Sequence, residues 1–313
     1  MMEILEKLPS AAELKQALRL NETARRAKEA ADKQIRAIIE GQSDKLLLIA
    51  GPCSADNPAA VLEYAHHLSK IAAEVREHIF IILRVFTAKP RSALGYMGLV
   101  HEPDGLAAAR RLHLSVLSET GLPTADELLY PALYPYFEDI VSYFTVGARS
   151  VENQEHRLVS SGLTVPVGMK NPVSGNLDSL ANAVATARSP HRFIHNGHMV
   201  QSPGNPLAHG ILRGGSAPNY HPENILALQA AVLIDTNHAN SGKDHTKQPG
   251  VAMQVLQSRR QNPVIKTLVR GLMVESYIED GAGHLYGQSV TDPCLGLSDT
   301  EKLIHDVANS INI

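Results

Sequence analysis

At 313 residues, 44% of them apolar and with a net charge of −3, the chain can bury a sizeable core, and its charge argues against a nucleic-acid or membrane surface as the main partner. No apolar run approaches the ~18 residues of a membrane span, and two cysteines, Cys53 and Cys294, are too few for a disulfide framework. The opening segment MMEILEKLPSAAELKQ carries acids early and has no apolar signal core, so a cytoplasmic enzyme-like chain is expected.

Residues 12–41, rich in Ala, Leu, Lys, Arg and Glu and stopped by Gly41, predict a helix. From Leu46 onward, predicted strands at 46–51, 79–86, 123–128, 143–148, 165–170, 210–214, 231–236 and 270–275 alternate with helices. The helices are expected near 57–75, 104–119, 133–142, 151–161, 177–188, 222–229, 250–259 and 298–311. Strict alternation implies right-handed crossovers and a parallel sheet, and eight pairs close a barrel. A ninth apolar run, Arg192–Val200, interrupts the rhythm. The expected fold is therefore an α/β (β/α)8 TIM barrel over residues 43–313. An N-terminal helical arm, 1–42, precedes it, and an extra short strand excursion stands before strand 6.

Chemistry gathers at the predicted strand ends. Cys53, His238, Glu275 and Asp292 are one thiol, one imidazole and two carboxylates, each in or just after the turn that closes an apolar run. In such a barrel these positions share one mouth. That donor set suits one divalent transition metal (Mn, Fe, Co or Zn) and disfavours Mg. Each residue alone reads equally well as a small core group or a satisfied strand end. Arg84, Arg149, Lys170 and Arg213 are basic residues in the same places, and Lys89-Pro90-Arg91-Ser92 follows the second strand. A buried cation needs a partner or a ligand, and Gly214-Gly215 lets backbone N–H groups approach an anion. Two cation groups point to two phosphorylated substrates, although a KPRS loop also reads as solvated charge.

The segments GPCS (51–54), RVFTAKPRS (84–92), GARSVENQEHR (147–157), PVGMKN (166–171), ILRGG (211–215), IDTNHANSGK (234–243), GLMVES (271–276) and YGQSVTDPC (286–294) resemble the type I 3-deoxy-D-arabino-heptulosonate 7-phosphate (DAHP) synthases. The resemblance runs in motif order from about residue 12 to the C-terminus. It implies a transferase of the shikimate pathway that joins phosphoenolpyruvate (PEP) to erythrose 4-phosphate, assembled as a dimer or tetramer. It implies Cys53, His238, Glu275 and Asp292 as metal ligands, and Arg84, Lys89, Arg149, Lys170 and Arg213 as PEP contacts. It further implies Lys89, Pro90, Arg91 and Ser92 as the loop receiving the sugar phosphate, and Glu127 as the residue that orients a water near PEP. Lys89 is the acid–base candidate, with Glu127, Arg149, Lys170 and His238 beside it in the catalytic set and Asp292 also facing substrate. Cys294 is either buried filler or a disulfide partner of Cys53.

The chain departs from the family in the shortened segment 98–106, in the reduced excursion around 194–203 and in Tyr130, which stands where the family pattern has Asp. In regulated relatives the excursion contributes to an aromatic amino-acid inhibitor site, so weak or absent inhibition is expected here. Two alternatives stay open. One is a paralogue condensing PEP with another aldose phosphate in secondary metabolism, and the other is a non-catalytic regulatory homologue.

Overall fold

Eight short, mostly β-branched or leucine-rich runs, each too short for a helix and followed by one, close into a ring in the computed structural model, which describes residues 1–91 and 95–311. The elements are α1 (Ala11–Ala17), α2 (Glu22–Ile39), β1 (Leu46–Gly51), α3 (Pro58–Val75), β2 (Ile79–Arg84), α4 (Gly105–Thr120), β3 (Thr124–Glu127), α5 (Tyr134–Phe137), β4 (Tyr143–Val146), α6 (Gln154–Ser160), β5 (Val167–Lys170) and α7 (Leu177–Arg188). The chain continues through β6 (His191–His195), β7 (His198–Ser202), β8 (His209–Leu212), α8 (Pro222–Leu228), β9 (Val232–Asp235), α9 (Gln248–Gln261), α10 (Pro263–Leu268), β10 (Val269–Glu275) and α11 (Leu297–Ile311). The closed barrel runs β1-β10-β9-β8-β5-β4-β3-β2, with every pair parallel. This is the expected (β/α)8 barrel. Among the described residues, no helix is long and apolar enough to cross a membrane.

Two apolar layers hold the ring together. Leu46, Leu48 and Ala50 of β1 pack outward with the helices, whereas Leu47 and Ile49 point into the barrel with Ile82, Tyr143, Ile211, Leu233 and Met273. The period-2 geometry of a strand produces this split, and burial on both faces explains why the sequence of β1 shows no alternation. Ile35, Ile38 and Ile39 of α2 join the inner layer, so α2 closes the end of the barrel opposite the strand C-termini.

Several boundaries differ from the sequence reading. The helix expected over 12–41 is two helices. The chain turns at Leu18–Asn21, and the Asn21 side chain accepts from Ala24 N to cap α2. Most strands end one or two residues sooner than expected, so Arg213 lies just beyond β8 and Arg149 in the turn after β4. The helix expected at 133–142 is reduced to the single turn of α5, with Pro131 opening the 3-10 turn before it and Pro135 in its own first turn. α10 was not foreseen. Asn262 caps it and Pro263 opens it, a pairing that reads from sequence as a turn. The excursion before the sixth barrel strand is the antiparallel hairpin β6–β7, turned by Asn196-Gly197 with both residues at positive φ.

Candidate active site at the barrel mouth

Cys53 and Glu275 come together because β1 and β10 are neighbours, with Gly51 in register with Glu275. Glu275 is the last residue of its strand, and Cys53 follows the Gly51-Pro52 turn. Asp292 arrives differently from the strand-end position expected. It sits in the long loop after β10, which folds back so that Ser276 bridges Leu295. One ligand atom each from Cys53, Glu275 and Asp292 lies within 4.8 Å of the others. The Cys53 thiol donates to Asp292 Oδ2 at 3.6 Å. His238 stands at the edge of this group, in the turn after β9, with Nε2 3.8 Å from Glu275 Oε1. Its φ of +50° costs about 1–3 kcal/mol for a non-glycine residue, so the fold sustains a strained backbone to aim this ring.

Burial pushes the Cys53 thiol pKa up, and the Glu275 charge adds to that against Lys89 and Arg84. Burial also opposes ionisation of Glu275, but Arg84, His238 and Lys89 together hold it well below the usual carboxylate range. Glu275 Oε2 accepts from Asn237 Nδ2 at 2.6 Å. Its Oε1 is buried and, although 2.8 Å from Arg84 Nη2, has no aligned hydrogen bond. A buried carboxylate oxygen without a donor, beside a thiol, a second carboxylate and an imidazole, fits a divalent transition metal. Cys294 is a free, buried thiol that accepts a hydrogen bond from Cys53 N at 3.3 Å.

The cations form the adjoining wall. A cleft of about 170 Å³ is lined by Arg84, Lys89, Arg91, Arg149, Lys170, Arg213 and Lys243 against, among the described residues, Glu127 and Asp292 as acids. A chain of net negative charge thus concentrates positive charge at one mouth. Arg84 is buried and committed, donating to Pro52 O at 3.0 Å and Cys53 O at 3.1 Å while lying over the Phe86 ring. Lys89 Nζ reaches Cys53 O at 2.7 Å and Cys53 Sγ at 2.8 Å, so it joins the metal-ligand group to the cation wall. Burial disfavours its charge, yet Cys53, Glu275 and Glu127 outweigh this and raise its pKa. Lys170 pairs with Asp235 at 2.7 Å. Burial lowers the Arg213 pKa, and the Arg149 charge reinforces this against Asp235. Arg149 is solvent-exposed, a correction to its expected place at the end of a buried strand. Pro90 and Arg91 line the same cleft, whereas Ser92 lies outside the described residues. Glu127 fits because position 147 is glycine: a Cβ there would meet Glu127 Oε1 at 2.2 Å.

Three supporting residues escaped the sequence reading. Asp235 places one oxygen 2.7 Å from Lys170 Nζ and 2.9 Å from His238 Nδ1, within ion-pair distance of the ring though without an aligned hydrogen bond to it, on the side away from Glu275. Gln248 clamps the Glu275 backbone, donating to its carbonyl at 2.8 Å and accepting from its N–H at 2.9 Å. Asp126 accepts from the Thr87 N–H and hydroxyl at 2.8 and 2.6 Å and from Glu127 N at 2.7 Å. It thereby ties the start of the Lys89 loop to Glu127. A buried acid inside an apolar strand was the available signal at 126 and 235.

Residues 19–306 match the family described as the DAHP synthetase I family. The Tyr-sensitive phospho-2-dehydro-3-deoxyheptonate aldolase of Escherichia coli K12 is 36% identical over 311 residues, covering 90% of this chain and 86% of its own. The Trp-sensitive enzyme of the same strain is 36% identical over 310 residues, with 90% and 88% covered. The solved structure of the phospho-2-dehydro-3-deoxyheptonate aldolase from Francisella tularensis SCHU S4 superposes with a TM-score of 0.94 at 32% identity, over 100% of this chain and 99% of that one.

Proposed function

The chain belongs to the DAHP synthetase I family, and from that premise we propose that it condenses PEP with erythrose 4-phosphate to give DAHP and inorganic phosphate. The observation that carries the reading is the joining of two sites at one barrel end. A thiol–carboxylate cluster adjoins a cation-lined cleft, and Lys89 touches the first while lining the second. A divalent transition metal held by Cys53, His238, Glu275 and Asp292 would supply Lewis-acid polarisation of the aldehyde oxygen.

The chain's own residues account for the rest. Arg149, Lys170 and Arg213 hold the PEP phosphate and carboxylate as charge-assisted partners, and Arg84 braces the Cys53 turn beneath them. Lys89, Pro90, Arg91 and Ser92 receive the phosphate of the aldose. PEP C3 attacks the aldehyde carbon, and Lys89 delivers a proton to the oxygen that becomes a hydroxyl. Glu127 orients the water that adds to PEP C2. The bond from C2 to the phosphate-bearing oxygen then breaks as the new C2 hydroxyl passes its proton to the departing phosphate and becomes the carbonyl, and the cation wall neutralises that phosphate. The exposed pair Ile194 and Met199, facing one another across β6–β7, supports a homo-oligomer.

Another aldose phosphate is the second reading, favoured by the short 98–106 segment, where His101 Nε2 lies 3.0 Å from the Tyr130 hydroxyl beside Glu127. Product analysis with PEP and a panel of aldose phosphates decides between them. DAHP and phosphate formed in equal amounts, with erythrose 4-phosphate the best acceptor, is the expected result. A five-carbon aldose used in preference establishes the second reading, and no condensation with any acceptor overturns both.

A further inference from the structure

At the end of the barrel opposite the mouth, an open groove of about 600 Å³ is larger than the cleft of about 170 Å³ at the mouth. Arg259 and Arg260 from the last turn of α9, Lys266 of α10, and Asp44, His78 and Ile311 line it. Arg270, near the start of β10, is close enough for its charge to act on Arg259.

The buried lysines and arginines divide cleanly. Lys28, Arg84, Arg110 and Lys170 each sit within ion-pair distance of a carboxylate. Among the described residues, Lys89, Arg213 and Arg259 do not. Lys89 and Arg213 belong to the mouth, where an anionic substrate is expected. Arg259 is the remaining one, only 8% exposed, and its Nε is buried without a hydrogen-bond partner, as is the Nε of Arg270. Burial, then the Arg270 charge, pulls the Arg259 pKa down to about 10, with Asp44 opposing. Interaction with the C-terminal carbonyls of α9 does not satisfy either Nε. A guanidinium held out of water with no carboxylate partner is costly unless an anion compensates it.

We propose that this groove binds a small phosphate-bearing molecule, with Arg259 as the principal partner and Arg260 and Lys266 as supporting charges. A phosphate dianion matches this concentration of cations, and guanidinium groups bind phosphate oxygens with paired N–H donors. The inference does not rest on the reading of the mouth.

The test uses the full chain carrying Arg149→Ala and Arg213→Ala, which weakens the phosphate contacts of the mouth, with inorganic phosphate as the probe. Phosphate should raise the melting temperature in a concentration-dependent way, and calorimetry should show binding. Adding Arg259→Gln or Arg260→Gln should weaken that binding at least tenfold. In phosphate-free buffer, Arg260→Gln should melt no lower than its parent, because Arg260 is exposed, so this variant stays informative if Arg259→Gln folds poorly. No phosphate-dependent shift in the parent, or a shift that both substitutions leave intact, overturns the proposal.

Discussion

At the residue scale, the mouth couples strong individual demands. Cys53→Ser keeps the volume but loses the soft donor, so metal content after purification should fall at least tenfold while circular dichroism stays native. Equal metal content in wild type and variant would remove Cys53 from the ligand set. Arg213 has no carboxylate partner among the described residues, and a charge-assisted contact contributes about 1.5–3 kcal/mol. Arg213→Ala should therefore raise the KM for PEP by about tenfold or more, and unchanged PEP kinetics would reject the contact. His209 offers a pH test away from this chemistry. Its Nδ1–H donates to Leu207 O at 2.8 Å and its Nε2 accepts from the Tyr143 hydroxyl at 2.7 Å. The ring is thus satisfied only when neutral, and burial drops its pKa from 6.5 to about 4. Between those values the unfolded chain binds more protons than the folded one, so stability is full above pH 6.5 and falls as pH drops toward 4. The loss amounts to about 3 kcal/mol. Denaturant unfolding from pH 7 to pH 4 should show it, and His209→Gln should remove that component. A wild-type curve flat across the window would contradict the assignment. These single-residue roles were unevenly legible. Cys53, His238 and Glu275 stand at punctuated run ends. Asp235 was hidden because a carboxylate inside an apolar strand declares its partners, Lys170 and His238, only once the ring has closed.

At the element scale, the alternation of apolar runs and helices was enough to place all eight barrel strands, because burial on both faces makes most of these runs largely apolar. Helix ends were less readable. The break at Leu18–Asn21 depends on one asparagine side chain, and α10 on an Asn-Pro pair that equally well marks a turn. The role of α2 as a plug could not be read from its own sequence, since Ile35 and Ile38 look like any helical stripe until the inner layer is assembled. Both are 0% exposed, so Ile38→Ala should cost about 2–5 kcal/mol. The midpoint of chemical denaturation should fall accordingly, and a change below ~0.5 kcal/mol would mean that α2 does not close the barrel in solution. The hairpin β6–β7 carries a functional expectation. Its strands have five residues each, and an effector shifts activity only through contacts that differ between two states. With this element reduced, phenylalanine, tyrosine and tryptophan should inhibit weakly or not at all. Strong inhibition at micromolar concentration by any of the three, measured by phosphate release, would show that a rearranged pocket forms.

At the scale of the whole molecule, the barrel separates stability from chemistry. The end closed by α2 carries packing, while the strand C-termini carry the thiol, the carboxylates and the cations. Because Cys53, His238, Glu275 and Asp292 come from four separate segments, only ring closure brings them within reach of Lys89 and the cation wall. The central claim is that these residues form one metal-dependent site acting on PEP, and its most direct test is phosphate release from PEP with erythrose 4-phosphate before and after chelation. Dialysis against a strong chelator should abolish release, and Mn, Fe or Co should restore it in wild type but not in Cys53→Ser. Full release from metal-free wild-type protein, or equal restoration in the Cys53→Ser variant, would contradict the account.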